Sequence, residues 1–359
     1  MGIFGRAPSG GGPPTSRRDR RQLGARARSK TGARRETERR AQVIVIVGFV
    51  VVAIAILGVA GFGYYQSTIR PKQQAVVKVG DRNFSMGYVE KRLRYEIRNA
   101  TPGEPLLLNQ DVAVVQTLNS IEAEELNRIG ATQLDVSVGD GEIEAKIRLN
   151  LGLSDSADPA TYADAYRTVV RDSGLSPNEY RELVGSQLLE DEIRKNLRSG
   201  IPASAEQIKL RDIRVVSQED AQMVLDRLAA GEDFATIAAE VSYDTNTKNN
   251  GGEMGWMPRG ALEPAVGDTV FALEVGQRTE PVWSSQTNTY YVYEVMEKSL
   301  SMEVTSDQRR LIEEQSYVDW QDGIAGQVQV NRYYISDMTM VTRLREVATS
   351  EGSGVQAGQ

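Results

Sequence analysis

The 359-residue chain contains neither histidine nor cysteine. That absence removes imidazole bases, thiolate nucleophiles, disulfides and most zinc sites together, leaving carboxylate, hydroxyl or oxygen-ligand chemistry. No serine-based hydrolase site can be built without a base. Asp135, Asp140, Glu142 and Glu144 crowd one stretch, but their spacing does not match a calcium loop, and the start of a helix explains the acids better. Gly251-Gly252-Glu253-Met254-Gly255 is rich in glycine without a following lysine, which makes it a sharp turn rather than a phosphate cradle. No metal and no cofactor is expected.

Hydrophobic residues make up 40% of the chain and charged residues 25%, the balance of a globular protein with attachments, and the length predicts two or three domains. The net charge of −7 is unevenly spread: residues 1–42 hold 12 Lys/Arg against 3 Asp/Glu, a local +9, leaving −16 on the rest. An acidic body lacks the basic footprint that nucleic acid requires, so no nucleic-acid partner is expected. Residues 43–65 follow, 23 positions without a charge, long enough to cross a hydrocarbon layer of about 30 Å. Arg34, Arg35, Arg39 and Arg40 precede this segment and only Arg70 and Lys72 follow it closely. The positive-inside bias therefore predicts a single-pass cell-membrane anchor, with the N-terminus cytoplasmic and the main body extracytoplasmic. A cleaved signal peptide would have a shorter apolar stretch and a shorter leader. The basic arm 1–42, with Gly10-Gly11-Gly12-Pro13-Pro14, has no apolar period and reads as disordered. It serves as a topology signal or as a contact with anionic lipid.

Residues 66–74 read as a linker. Ala75-Val76-Val77-Lys78-Val79 then makes a short strand broken at Gly80-Asp81, and Ser85 caps a helix carrying Val89, Leu93 and Ile97. Val114, Leu118 and Ile121 mark a second helix face, and Ile143, Ile147 and Leu151 a third. Ser176-Pro177-Asn178-Glu179 is a capping box with proline at the first helical position. From about residue 205 the pattern changes to strand, helix, helix, turn, short helix, strand. Leu210 to Val216 and Tyr290 to Val295 form the strands, and Ala221, Val224, Leu225, Leu228, then Phe234, Ile237, Ala238, Val241 form the helix faces. Thr305 to Gln308 cap a further helix bearing Leu311, Val318 and Trp320, and residues 351–359 read as frayed.

Within residues 206–298 one set of residues resembles a known family, the parvulin-type (PpiC-like) peptidyl-prolyl isomerases. The set is Arg211-Asp212-Ile213, Phe234 with Ala238, Ser242-Tyr243-Asp244, Gly251 through Trp256, Phe271-Ala272-Leu273, Gly276 and Tyr290-Tyr291-Val292. The flanks are similar to the chaperone domain of membrane-anchored foldases of the survival-protein and PrsA type. The fold class this implies is α+β: a single transmembrane helix, a mainly helical chaperone domain, and a parvulin-like α+β domain with a small antiparallel sheet. The expected divisions are the arm 1–42, the transmembrane helix 43–65, the linker 66–74, a helical domain 75–204 and a parvulin-like domain 205–298. A C-terminal helix at 299–330 packs back on the helical domain, and a partly disordered tail at 331–359 ends the chain.

The resemblance implies prolyl cis–trans isomerisation of exported polypeptides, with unfolded or proline-containing chains as partners. It carries the family's central carboxylate onto Asp244 and places its two histidine positions on Asp212 and Tyr291. The proline-receiving cup falls on Met254, Leu262 and Val266, with Trp256 beside it. A Tyr291 phenol bridging toward Asp212 or Asp244 would replace the imidazole network. The alternatives are a catalytically silent holdase using a degenerate groove, and a scaffold for one membrane partner.

Overall fold

A computed structural model describes residues 47–357 apart from 102 and 155. The basic arm and residues 43–46 lie outside the described residues. Val47–Gln73 is one helix of 27 residues, apolar and long enough to cross a membrane. Phe49, Leu57 and Phe62 are exposed along it, which suits lipid better than water. The linker expected at 66–74 is helical as far as Gln73: a π-turn at Tyr65–Ile69 leads into Arg70–Gln73.

The body, from Gln73 on, is a separate compact unit. Its helical part starts with strands β1 (Ala75–Val79) and β2 (Arg82–Ser85), which pair as a hairpin. Gly80 turns the hairpin at φ +56, a conformation that costs a residue without Cβ little. The Ser85 hydroxyl accepts the Tyr88 N–H and starts α1 (Met86–Asn99). Next come α2 (Gln110–Gly130), α3 (Asp140–Asn150), α4 (Pro159–Ser173) and α5 (Pro177–Ser199). Val89, Leu93 and Ile97 of α1 and Val114, Leu118 and Ile121 of α2 are buried in one cluster. The periodicity missed α4, although Asp158 caps it and Pro159 opens it, the same kind of signal that marks α5.

The chain then enters the second part on strand β3 (Ser204–Val215), followed by α6 (Gln218–Ala229), α7 (Phe234–Val241), β4 (Glu253–Pro258), α8 (Pro264–Ala272), β5 (Val282–Ser284) and β6 (Thr289–Glu303). The sheet is antiparallel in the order β4-β3-β6-β5. Alternation along the strands splits its two faces. Ile213, Val215 and Val292 pack under α6 and α7, while Ile208, Leu210, Tyr291, Tyr293 and Val295 pack against α8. Entry and exit lie together: Ser204 pairs with Glu303, and the Val304 N–H donates to the Ala203 carbonyl at 2.9 Å.

After β6 the chain returns as α9 (Ser306–Ala325), which touches α2 and α5. Leu311 is exposed on it, while Ile312, Tyr317 and Ile324 are buried. Within the described residues, the tail expected to be partly disordered beyond residue 330 carries regular elements. Strand β7 (Val330–Arg332) pairs with β1, and α10 (Met338–Ala357) buries Met340, Leu344, Val347 and Ala348 in the cluster shared with α1 and α2. Glu351, expected to fray, bonds Arg94 at 2.8 Å and Arg98 at 2.9 Å. The apolar spacing of α10 is masked in the sequence by its threonines and arginines.

Candidate active site

β3 and β6 are neighbours, in a register that sets Asp212 opposite Tyr293 and Arg214 opposite Tyr291. Asp212, Arg214, Tyr291 and Tyr293 all lie on the sheet face that carries α8. The loop after α7 brings the third group. The Ser242 hydroxyl accepts the N–H groups of Arg214 and Asp244, both at 3.2 Å, and the Tyr243 N–H donates to the Arg214 carbonyl at 2.7 Å. These three bonds fasten the loop to the end of β3. Asp244 is half-buried, and its Oδ1 accepts the Asn246 N–H at 2.9 Å, the local turn that short carboxylates favour.

Asp212 is wholly buried. Its Oδ1 accepts the Thr247 hydroxyl at 2.8 Å, while Oδ2 has no hydrogen-bond partner among the described residues. Burial pushes its carboxyl up to about 6; the Thr247 hydroxyl pulls the other way, the Asp244 charge raises it and Arg214 lowers it. Gly252 lies against the Asp212 backbone. Its carbonyl accepts the Asp212 N–H at 2.8 Å, its φ is +80, and a Cβ there would collide with the Asp212 carbonyl.

Tyr291 is not bonded to a carboxylate. Its hydroxyl accepts from Arg214 Nη1 at 3.4 Å, and Arg214 Nη2 donates to the Tyr243 carbonyl at 2.7 Å. The expected phenol–carboxylate bridge is therefore replaced, among the described residues, by a guanidinium that faces both. The physical reason is the register: Arg214, not Asp212, sits across from Tyr291. The rings of Tyr291 and Tyr293 stack with centroids 5.3 Å apart. Burial, with the nearby Tyr291 and Asp212, raises the pKa of Tyr293 and keeps its phenol neutral.

Met254 and Leu262 are partly buried against Val266, Val270, Tyr291 and Tyr293, so an apolar surface adjoins these polar groups. Val266 is only 3% exposed and forms the floor of that surface, not its rim. Trp256 is not part of it: it pairs with Lys209, whereas Met257 pairs with Ile208, so the indole belongs to the opposite face. Sequence reading missed three residues here: Thr247, Arg214 and Tyr293. Period-two counting from Asp212 and Tyr291 would have put Arg214 and Tyr293 on the same face, whereas Thr247 has no signal apart from its loop.

Residues 205–298 match the PPIC-type PPIASE domain family, and residues 34–194 match the SurA-like N-terminal domain family. A foldase protein PrsA from Caldanaerobacter subterraneus subsp. tengcongensis is 27% identical over 186 residues, 52% of this chain and 56% of that protein. A chaperone SurA from Chromohalobacter salexigens is 40% identical over 90 residues, 25% of this chain and 20% of that protein. The solved peptidylprolyl isomerase PrsA from Bacillus anthracis shares 17% identity at a TM-score of 0.38, covering 66% of this chain and 97% of that one. The chain spans about half the length of the curated PrsA relatives it matches. Residues 205–298 are thus a parvulin-type (PpiC) peptidyl-prolyl isomerase domain, carried by a chain whose earlier part, residues 34–194, is a SurA-like N-terminal domain.

Proposed function

We propose that the protein is a membrane-anchored extracytoplasmic foldase that assists the folding of exported polypeptides and isomerises prolyl bonds at the face described above. The observation that carries the reading is the convergence of Asp244, Asp212 and Arg214 beside the apolar surface of Met254 and Leu262 on one side of the sheet. The apolar helix Val47–Gln73 supports anchoring, and the charge asymmetry around it supports a cytoplasmic N-terminus. The partners are unfolded or proline-containing chains.

The reaction makes and breaks no covalent bond. It lowers a rotation barrier of about 18–20 kcal/mol about the amide C–N bond, so the site must favour the twisted amide over both planar forms. Met254 and Leu262 hold the proline ring over the Val266 floor. Asp244, half-buried at the edge, is the carboxylate able to reach the amide. Asp212 is buried away from substrate and is a positioning residue. Through the Thr247 hydroxyl it holds the loop that presents Asp244. Arg214 fixes the same loop at the Tyr243 carbonyl and orients Tyr291.

A protease-coupled assay with a proline tetrapeptide on the full chain tests the reading. Acceleration over the buffer blank, lost in Asp244→Ala, supports it. One observation favours a second reading, the silent holdase. Of the three groups expected at the reacting centre, Asp212 is sealed off and Tyr291 is turned to Arg214, which leaves Asp244 without an imidazole or phenol partner. Isomerisation no faster than the blank, with aggregation of a refolding client still suppressed, selects the holdase. Neither activity, with one partner copurifying, selects the scaffold.

A further inference from the structure

The apolar surface that receives proline is built within residues 205–298, yet part of its support comes from outside them. Leu262 lies in the link 259–263, which joins β4 to α8 outside the sheet ladder. A connection of that kind moves more than the elements it joins unless it is tied down.

One tie is a chain of hydrogen bonds. The Glu263 carboxylate, next to Leu262, accepts the Ser284 hydroxyl and, at 3.2 Å, the Gln286 N–H, which fastens the start of α8 to the end of β5. The Gln286 side-chain amide donates to the Gln315 carbonyl on α9 at 3.2 Å, and the Gln315 amide donates to Asp319 Oδ1, one turn further on, at 2.7 Å. Gln315 is only 7% exposed, so a Gln315 without these partners would be a buried amide left unpaired.

The other tie is apolar. Ala261 packs into the cluster that holds Leu262 and also into the cluster of Ile201, Val304 and Ile312. Gly260 lies close enough that a Cβ on it would touch Ile312 at 3.7 Å. Earlier on α9, the Gln308 amide donates to the Trp256 carbonyl of β4 at 2.8 Å. Gln308, Ile312 and Gln315 are spaced i, i+4, i+7, which sets them on one face of the helix. That face therefore meets both β4, which carries Met254, and the link that carries Leu262. It belongs to the returning frame: the matched domain ends at residue 298 and α9 starts at Ser306.

We propose that Gln315 is a positioning residue for prolyl-peptide binding: through Gln286 and Glu263, with Ile312 beside it, it holds Leu262 where the proline ring is received. The helical frame thereby sets the affinity of the cup. The assignment rests on the reading of Met254 and Leu262 as that cup.

The test uses the full chain in lipid nanodiscs, with a fluorescein-labelled proline tetrapeptide for anisotropy and the protease-coupled assay for kcat/KM. Gln315→Met keeps the bulk and removes both hydrogen bonds; Gln286→Ala breaks the same chain at an exposed position, where folding is least affected. Each is expected to raise the peptide Kd about three- to tenfold, the worth of one hydrogen bond. Each should lower kcat/KM by the same factor and leave kcat alone, because Leu262 grips the ring equally in the planar and twisted amide. The double variant is expected to match the single ones, since all three break one chain of bonds. Amide hydrogen exchange rises at residues 259–264 and not at 242–247. An unchanged Kd in both single variants, or effects that multiply in the double variant, overturns the proposal. So does a wild type that binds no prolyl peptide. A wild type that binds the peptide without accelerating isomerisation, and binds it more weakly as Gln315→Met, supports the positioning role and removes the catalytic reading alone.

Discussion

Replacing Asp212 by asparagine separates the charge of that residue from its shape. The carboxyl titrates at about 6 in the folded chain against an ordinary 3.8. A folded pKa above the unfolded one means that the native state holds its proton longer. Stability is therefore lost as pH rises from about 4 to about 6, and the penalty is complete above that. The difference corresponds to about 3 kcal/mol at neutral pH and above. Asparagine keeps an acceptor for the Thr247 hydroxyl and abolishes the charge, but its amide puts an unpaired donor where Oδ2 has no partner, at about 1–3 kcal/mol. The net gain at pH 8 is thus about 0–2 kcal/mol, and at pH 4 the variant is less stable than wild type. The diagnostic quantity is the swing of about 2.4 kcal/mol between the two pH values, smaller than the full penalty because the unfolded carboxyl is already more than half ionised at pH 4, and from it the amide penalty cancels. Urea unfolding of both proteins at pH 4, 5, 6, 7 and 8, followed by tryptophan fluorescence, measures it. Trp256 and Trp283 report from the sheet that holds Asp212. A stability difference that stays flat across that range would refute the buried-charge argument.

Asp244→Ala should reduce turnover of a proline tetrapeptide at least roughly tenfold, about 1.4 kcal/mol of transition-state interaction, with the unfolding midpoint nearly unchanged, since the side chain is half-buried and, among the described residues, bonds within its own loop. Gly252→Ala should destabilise the parvulin domain by about 3 kcal/mol or more, because a positive φ and a collision with the Asp212 carbonyl act together; a circular-dichroism melt would check it. Leu344→Ala should cost about 2–5 kcal/mol in the helical part, where Leu344 is fully buried, with tetrapeptide turnover maintained.

Much of the fold could be read from local chemistry. The caps at Ser85, Ser176 and Thr305 each start the helix they predict, because a side-chain acceptor for an orphan N–H is written in the residue itself. The alternating apolar runs located β3 and β6 but not their full lengths; Ser204–Lys209 and Met296–Glu303 carry polar outward residues that hide the period. Strand β7 and helix α10 were missed because their burial depends on partners more than 200 residues away in sequence, namely β1 and α1. At the site, the candidate residues named from the sequence lie on β3, β6 and the loop after α7, which the fold brings together. Pairing partners did not follow, since one register decides whether Tyr291 meets Asp212 or Arg214, and only the assembled ladder fixes that. Trp256 fell on the wrong side of the sheet for the same reason.

The two ends of the parvulin unit are joined as strand neighbours, Ser204 with Glu303 and Ala203 with Val304. A unit whose entrance and exit touch behaves as a cassette: the helical scaffold sees a short gap, whatever fills it. Because α9 resumes directly after that junction and the Gln308 amide at its start reaches back to Gln207 and to the Trp256 carbonyl, both at 2.8 Å, the cassette is clipped at one rim and not free to swivel. Substitutions inside the cassette can therefore change what it carries without moving the frame around it.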